Sequence, residues 1–144
     1  MYMHKKIQDF FREKDRLGRY LGIRIDEVGE GFSRTSLTLK PELLNGAGMA
    51  HGATIFALAD IAFGAAANSR GELAIGIEAH ISYIRPGKTG NLYARAREIG
   101  GNSKTSTYQV TVLNDKEETL ALFQGTAFKK KEQWIEWPDA RPGE

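Results

Sequence analysis

An α+β fold, one long helix wrapped by a curled antiparallel sheet, is the architecture that this 144-residue sequence predicts, and three observations predict it. The run Gly52 to Asn68 is rich in Ala, Leu and Phe, lacks Pro and is too long for a buried strand, so it reads as a helix. Its apolar residues go all the way round, as in a helix buried in a core or enclosed by a sheet. Two strand-like segments precede it and four follow, an order that lets a sheet curl around the helix.

The length fits one domain, residues 1–144, large enough for a real hydrophobic core. Ile7, Phe10, Phe11, Lys14, Leu17 and Leu21 fall at helical spacing, which predicts an amphipathic leading helix over about 3–19. Leu21 to Glu27 and Ser33 to Lys40 read as strands joined by the turn Val28 to Gly31. The second alternates, with Leu37 and Leu39 on one face and Arg34, Ser36 and Thr38 on the other. A loop, Pro41 to Ala50, leads into the long helix, and Gly71 marks its end. Ile75, Ile77, Ala79, Ile81 and Tyr83 then alternate along one strand face as far as Pro86-Gly87. Gly90 to Ile99, Thr105 to Leu113 and Thr119 to Lys129 complete four strands, whose short links predict an antiparallel meander. An irregular tail with two prolines is expected over about 132–144.

A formal charge of +2 is too small to argue for a nucleic-acid partner. The run Lys129 to Lys131 reads as a solvated strand end, or as an attraction for a polyanionic cofactor tail. The absence of cysteine excludes disulfides, thiolate metal sites and a Cys nucleophile. His4, His51 and His80 have no metal-ligand spacing, so no metal site is expected. Residues 1–20 are charged throughout, unlike a secretion leader, and the longest apolar run is short of a bilayer span. The chain is therefore expected to be soluble and cytoplasmic, with no membrane partner.

Asp60 interrupts the otherwise uncharged helix, and no Lys or Arg occurs between Lys40 and Arg70 to pair with it. A buried carboxylate without a partner is unfavourable unless something uses it. Its neighbours three, four and seven positions away are Ala53, Phe56, Ala57, Phe63, Gly64 and Ala67, mostly small, so another helix or a substrate has room to approach. Desolvation should raise the Asp60 pKa, and a nearby helix N-terminus should lower it. His51-Gly52 opens the helix, where the first N–H groups lack intrahelical acceptors and face outward at the positive end of the dipole. Gly52 would let a carbonyl oxygen come close to its N–H. Asn45 is either a turn residue in Asn-Gly or a neutral amide that orients water or a carbonyl. Glu78 and His80 share a strand face opposite the apolar alternation, which suits solvated or interface residues.

The pattern Asn45, His51-Gly52, Asp60, Asn68-Ser69 and Gly71, followed by Ile81-Ser-Tyr-Ile-Arg-Pro86, resembles the hotdog-fold acyl-CoA thioesterases. It is most similar to the phenylacetate-degradation branch of the 4-hydroxybenzoyl-CoA thioesterase superfamily, from about Leu21 to Lys129. The resemblance implies hydrolysis of an acyl- or aryl-CoA thioester to the free acid and coenzyme A. It assigns Asp60 as nucleophile or base for water, the Gly52 N–H to the thioester carbonyl, and Asn45 to placing nucleophile or substrate. His51 then caps or braces the loop. Coenzyme A is part of the substrate, and no other cofactor is implied. There are departures from the family pattern: Ala53 follows His51-Gly52 where a second glycine is usual, and Gly76 stands where some relatives carry a Ser or Thr that assists water. Asn102 replaces an Arg found in many relatives near the CoA phosphates, so Gly101, Asn102, Ser103 and Lys104 are either phosphate contacts or plain turn residues.

Gly52 and Asp60 are eight residues apart, roughly 12 Å along one helix at about 1.5 Å per residue. One thioester cannot span that, so a homodimer is expected as the minimal active unit, within a dimer of dimers (a homotetramer). A hotdog enoyl-CoA hydratase or dehydratase and a non-catalytic acyl-CoA-binding module are the rival readings. Phe56, Phe63, Tyr83 and Tyr93 would suit an aryl group or a medium aliphatic chain equally.

Overall fold

In the computed structural model, which describes residues 2–133, the chain opens with α1 (Tyr2–Lys14) and α2 (Arg16–Leu21). The expected single leading helix is thus two. Asp15 breaks it: its backbone is extended, and its carboxylate accepts from the Gly18 N–H at 3.0 Å as an N-cap for the second helix. Gly22, at φ 80°, closes α2 with a left-handed cap. The break changes the helical phase, so Ile7 is buried while Leu17, expected on the same apolar stripe, is exposed. Ile7 packs with Ile25, Val28, Ile61 and Ala65 in a small second core.

β1 (Arg24–Gly29) and β2 (Phe32–Thr38) form a hairpin, and a 3-10 turn (Pro41–Leu43) precedes α3 (Gly52–Ala67). β3 (Glu72–Tyr83), β4 (Asn91–Gly101), β5 (Thr105–Leu113) and β6 (Thr119–Gln133) follow. The irregular tail expected from about 132 lies outside the described residues from 134 onward; Gln133 still belongs to β6. The six strands make one antiparallel sheet in the order β1-β2-β4-β5-β6-β3. The predicted four-strand meander is corrected here. Only β4, β5 and β6 run as a meander, whereas β3 pairs with β6 at the far edge. The link from Ile84 to Gly90 contains Pro86 and is too long for a tight hairpin, so nothing local ties β3 to β4.

Helix α3 lies on the inner face of this sheet, against β2, β4 and β5. Leu58 and Ala62 of α3 are buried with Leu37, Leu92, Val110, Val112, Leu120 and Phe123. The inner face of β2 also carries hydroxyls: Ser33 donates to the Ala62 carbonyl at 2.5 Å and Thr35 to the Leu58 carbonyl at 3.1 Å. Their hydrogen bonds offset the burial of those polar groups. At the far end of the helix, Asn68 bonds both the N–H and the carbonyl of Ala74, which fixes where β3 begins. Ser69 accepts from the Gly31 N–H at 2.7 Å and ties α3 to the β1–β2 turn.

The alternation expected on β3 is interrupted. A bulge falls between Gly76 and Glu78, so Ile77 has no partner in the ladder, and Ile75 pairs on the outer face with half-open Phe128. Gly76 takes the inward position instead, because a Cβ there would stand 2.9 Å from the Phe63 ring. Gly125 on β6 makes room for the same ring.

Candidate active site

The N-terminus of α3 is held by its own loop. The His51 N–H donates to Leu43 O at 2.9 Å, and Thr54 donates to the same carbonyl at 3.0 Å. His51 is exposed and its Nδ1 accepts from the Ala53 N–H at 3.0 Å, so the ring caps the helix. With Nδ1 so engaged, a neutral ring carries its proton on Nε2. Among the described residues no acceptor takes the Gly52 N–H. Tyr83 Oη donates to the Gly52 carbonyl at 2.9 Å, and a Cβ on Gly52 would lie 3.3 Å from that phenol. The strand end and the helix start are therefore joined at the glycine.

An open cleft of about 290 Å³ lies at this junction, lined by Asn45, Met49, Gly52, Ile55, Tyr83 and Arg85 among others. Asn45 takes both parts foreseen for it. Its Oδ1 accepts from the N–H groups of Ala47 (2.9 Å) and Met49 (3.1 Å), so it builds the turn. Those two donors fix which end of the amide is oxygen and leave the NH2 as a donor at the cleft. Asn45 and Gly52 are thus brought together, through a loop, at one wall of one cleft.

Asp60 is not in that cleft, and it is not buried. Nine residues of α3 are buried, but Ala53 and Asp60 are exposed, and Phe56, Ala57, Gly64 and Ala67 are half-buried along the same stripe. The sheet and the leading helices leave this stripe of the helix uncovered, so the expectation of an enclosed carboxylate is corrected. Protein nevertheless crowds the group. Partial loss of water holds the Asp60 carboxyl above its usual pKa, and repulsion from Asp15 adds to the rise. Asp15 is a contributor that sequence reasoning missed. Its N-cap geometry places it there, because α2 packs on α3 with Gly18 against Ile61. An Asp three residues before a helical Gly was the legible sign of a cap, but nothing local pointed to Asp60.

Other singled-out residues lie elsewhere. Gly76 seats Phe63 and does not line the cleft. Gly101, Asn102, Ser103 and Lys104 form the β4–β5 link, where Asn102 Oδ1 accepts from the N–H groups of Lys104 (2.8 Å) and Thr105 (2.9 Å). Lys129 Nζ is tied to Asn102 O at 2.8 Å. This link belongs to the end of the sheet away from Gly52, since β4 starts near the helix N-terminus and runs toward the Arg70–Glu98 ion pair beyond its C-terminus. Glu78 and His80 face each other at 3.4 Å on the exposed outer face. Of the aromatic residues, only Tyr83 lines the cleft; Phe63 is in the core and the Tyr93 hydroxyl is bound to Asp115 at 2.8 Å. Among the described residues no three His, Cys, Asp or Glu side chains converge as a metal-binding set, and no helix is long and apolar enough to cross a membrane.

The family model of the thioesterase superfamily matches residues 47–121, which include His51, Gly52 and Asp60. The chain belongs to the thioesterase superfamily. It is 38% identical over 133 residues to a candidate esterase of Archaeoglobus fulgidus, covering 92% of this chain and 86% of that one. It is 34% identical over 118 residues to the acyl-coenzyme A thioesterase PaaI of Escherichia coli, covering 81% and 84%. The solved structure of the E. coli PaaI protein superimposes with a TM-score of 0.85 at 32% identity, over 91% of this chain and 98% of that one. A Streptococcus mutans protein bound to acetyl CoA superimposes with a TM-score of 0.73 at 27% identity, over 77% and 90%. Like these thioesterase-superfamily relatives, the chain has the α+β hotdog fold, and it is a thioester hydrolase.

Proposed function

We propose that this thioesterase-superfamily member hydrolyses acyl-CoA thioesters, with each active site built by two copies of the chain. The observation that carries the reading is the pair of donors, the Gly52 N–H and the Asn45 amide NH2, at one partly apolar cleft. Support also comes from the E. coli relative named as an acyl-coenzyme A thioesterase and from the S. mutans neighbour bound to acetyl CoA. The carbonyl oxygen takes the Gly52 N–H, where a helix N-terminus favours developing negative charge. Asp60 of a second copy attacks the carbonyl carbon, or removes a proton from the water that does. The carbon–sulfur bond then breaks, coenzyme A leaves as the thiol, and the acid is released. No cofactor beyond the substrate's own coenzyme A enters this scheme.

The second copy follows from geometry. Asp60 lies outside the cleft of its own chain, roughly 12 Å along α3 from Gly52 by helix rise. The open stripe carrying Asp60 is the part of α3 that the sheet leaves uncovered. β3 is an edge strand whose residues from Ile75 to His80 are all exposed, with one side of its backbone unpaired. Pairing of two β3 edges about a twofold axis would continue the sheet and lay two α3 helices side by side, antiparallel.

The direct test is thiol release from a panel of acyl-CoA thioesters, including aryl, arylacetyl and aliphatic members. Free thiol from saturated thioesters, with no hydration of an enoyl-CoA, is the expected result. Tight binding of the panel without thiol release would make the chain a binding module instead. Asn45→Asp refines the assignment of the donor. An aspartate retains the oxygen that builds the turn but lacks the NH2, so the melting temperature should stay within a few degrees while turnover falls about tenfold or more. Unchanged turnover in that folded variant would remove Asn45 from the reaction.

A further inference from the structure

We propose that the phosphates of the coenzyme A portion of the substrate sit in a second cleft at the same end of the sheet, between Lys88 and Lys116, rather than on the Gly101–Lys104 link. This inference rests on the acyl-CoA reading above and adds the place where the nucleotide is held. The cleft measures about 560 Å³ and is bounded by the β3–β4 link (Arg85 to Gly90) and the β5–β6 link (Asn114 to Glu118). Arg85 and Pro86 line both it and the cleft that holds Gly52 and Asn45, so the two adjoin. A thioester whose carbonyl lies at Gly52 can extend its pantetheine arm past Arg85 into this space.

The charges there are arranged for an anion. Arg85, Lys88 and Lys116 face two carboxylates, Asp115 and Glu118, and both carboxylates are engaged. Asp115 accepts from the Asn91 N–H at 2.9 Å and from Tyr93 Oη at 2.8 Å, which together hold its pKa below the usual value. Glu118 accepts from Asn114 Nδ2 at 2.9 Å and lies 4.0 Å from Arg85. Among the described residues, no carboxylate lies within ion-pair reach of Lys88 or Lys116, so both ammonium groups are available to phosphate.

The two links are also fastened to each other. Asp115 bridges from one to the start of β4, and any side chain at Gly90 (φ 83°) would run into its carboxylate. Asn114 Oδ1 accepts from the N–H groups of Lys116 and Glu118, each at 2.9 Å, which shapes the turn that presents Lys116. The Gly101–Lys104 link offers fewer free groups. Asn102 spends its side-chain oxygen on the turn itself, and Lys129 is held on its backbone carbonyl.

The test measures binding of coenzyme A and of pantetheine, by calorimetry at low salt, to the wild-type protein and to Lys88→Ala/Lys116→Ala. Loss of two exposed phosphate contacts should weaken coenzyme A roughly tenfold and leave pantetheine unchanged. Lys88→Arg/Lys116→Arg should restore most of the affinity, and added salt should shrink the difference between wild type and the alanine variant. Because both lysines are exposed, the alanine variant should melt with the wild type. An unchanged affinity for coenzyme A, a loss found equally for pantetheine, or a loss seen in Lys104→Ala and not in the double variant would each overturn the proposal. Binding is read without turnover, so the expected pattern in a protein that releases no thiol would keep the phosphate cleft and sink the hydrolase scheme alone.

Discussion

Asp60→Asn is expected to lower turnover by about two orders of magnitude or more, as for loss of a nucleophile or general base, with substrate affinity retained. The amide is nearly the same size as the carboxyl, and the side chain is exposed on α3, so nothing in the packing opposes the change. The wild-type pH–rate profile should show an acid limb set by Asp60, which works only when ionised. Crowding and Asp15 raise its pKa, so that limb should lie above the ordinary carboxylate range, and it should vanish in the residual rate of Asp60→Asn. The effect on stability has the opposite sense. A carboxyl whose folded pKa is raised binds its proton more tightly in the folded state, so its contribution is lost as pH rises from the unfolded value through the folded one. At neutral pH the Asn variant should therefore melt no lower than the wild type. A folded Asp60→Asn protein with near-normal turnover would end the assignment, and Asp15→Asn should move the acid limb toward lower pH if the repulsion is real.

Mixing two inactive variants, Asp60→Asn and Gly52→Pro, should restore activity from near background to a large fraction of wild type. A shared site takes Gly52 from one copy and Asp60 from the other, so each mixed dimer contains one site with both mutations and one with neither. Proline suits position 52, the first residue of α3. It removes the N–H, and the N1 position of a helix tolerates it. His51 just before it is extended, at φ −61° and ψ 139°, as a residue preceding proline prefers. The Tyr83 phenol lies 3.3 Å from where the new Cβ would stand, but that ring is half-exposed and can move aside. Mixed dimers that demonstrably form and stay dead would rule out the shared site.

Local signals made much of the fold legible. An Ala-rich run without proline could be nothing but a helix, and α3 spans Gly52–Ala67 where the sequence places it. Thr105–Leu113 is β5 residue for residue, since β-branched and aromatic residues there alternate between two turn signals. The spacing of Asn45, His51-Gly52 and Asp60 was sufficient to recognise the thioesterase superfamily, because a motif is a property of the chain itself.

What tertiary structure alone decided is who meets whom. The period of β3 identified a strand, but its pairing with β6 and its bulge at Ile77 depend on residues some fifty positions away and on the bulk of Phe63. Asp15 looked like one more residue of a leading helix until the cap at Gly18 broke that helix and turned the carboxylate toward α3. Asp60 was read as buried because every neighbour on its helix is apolar or small, yet exposure is set by how far the sheet reaches around α3, which no local pattern encodes. In the same way, Lys88 and Lys116 are unremarkable turn residues in sequence. They share a cleft beside Gly52 because antiparallel pairing brings the β3–β4 and β5–β6 links to one end of the sheet.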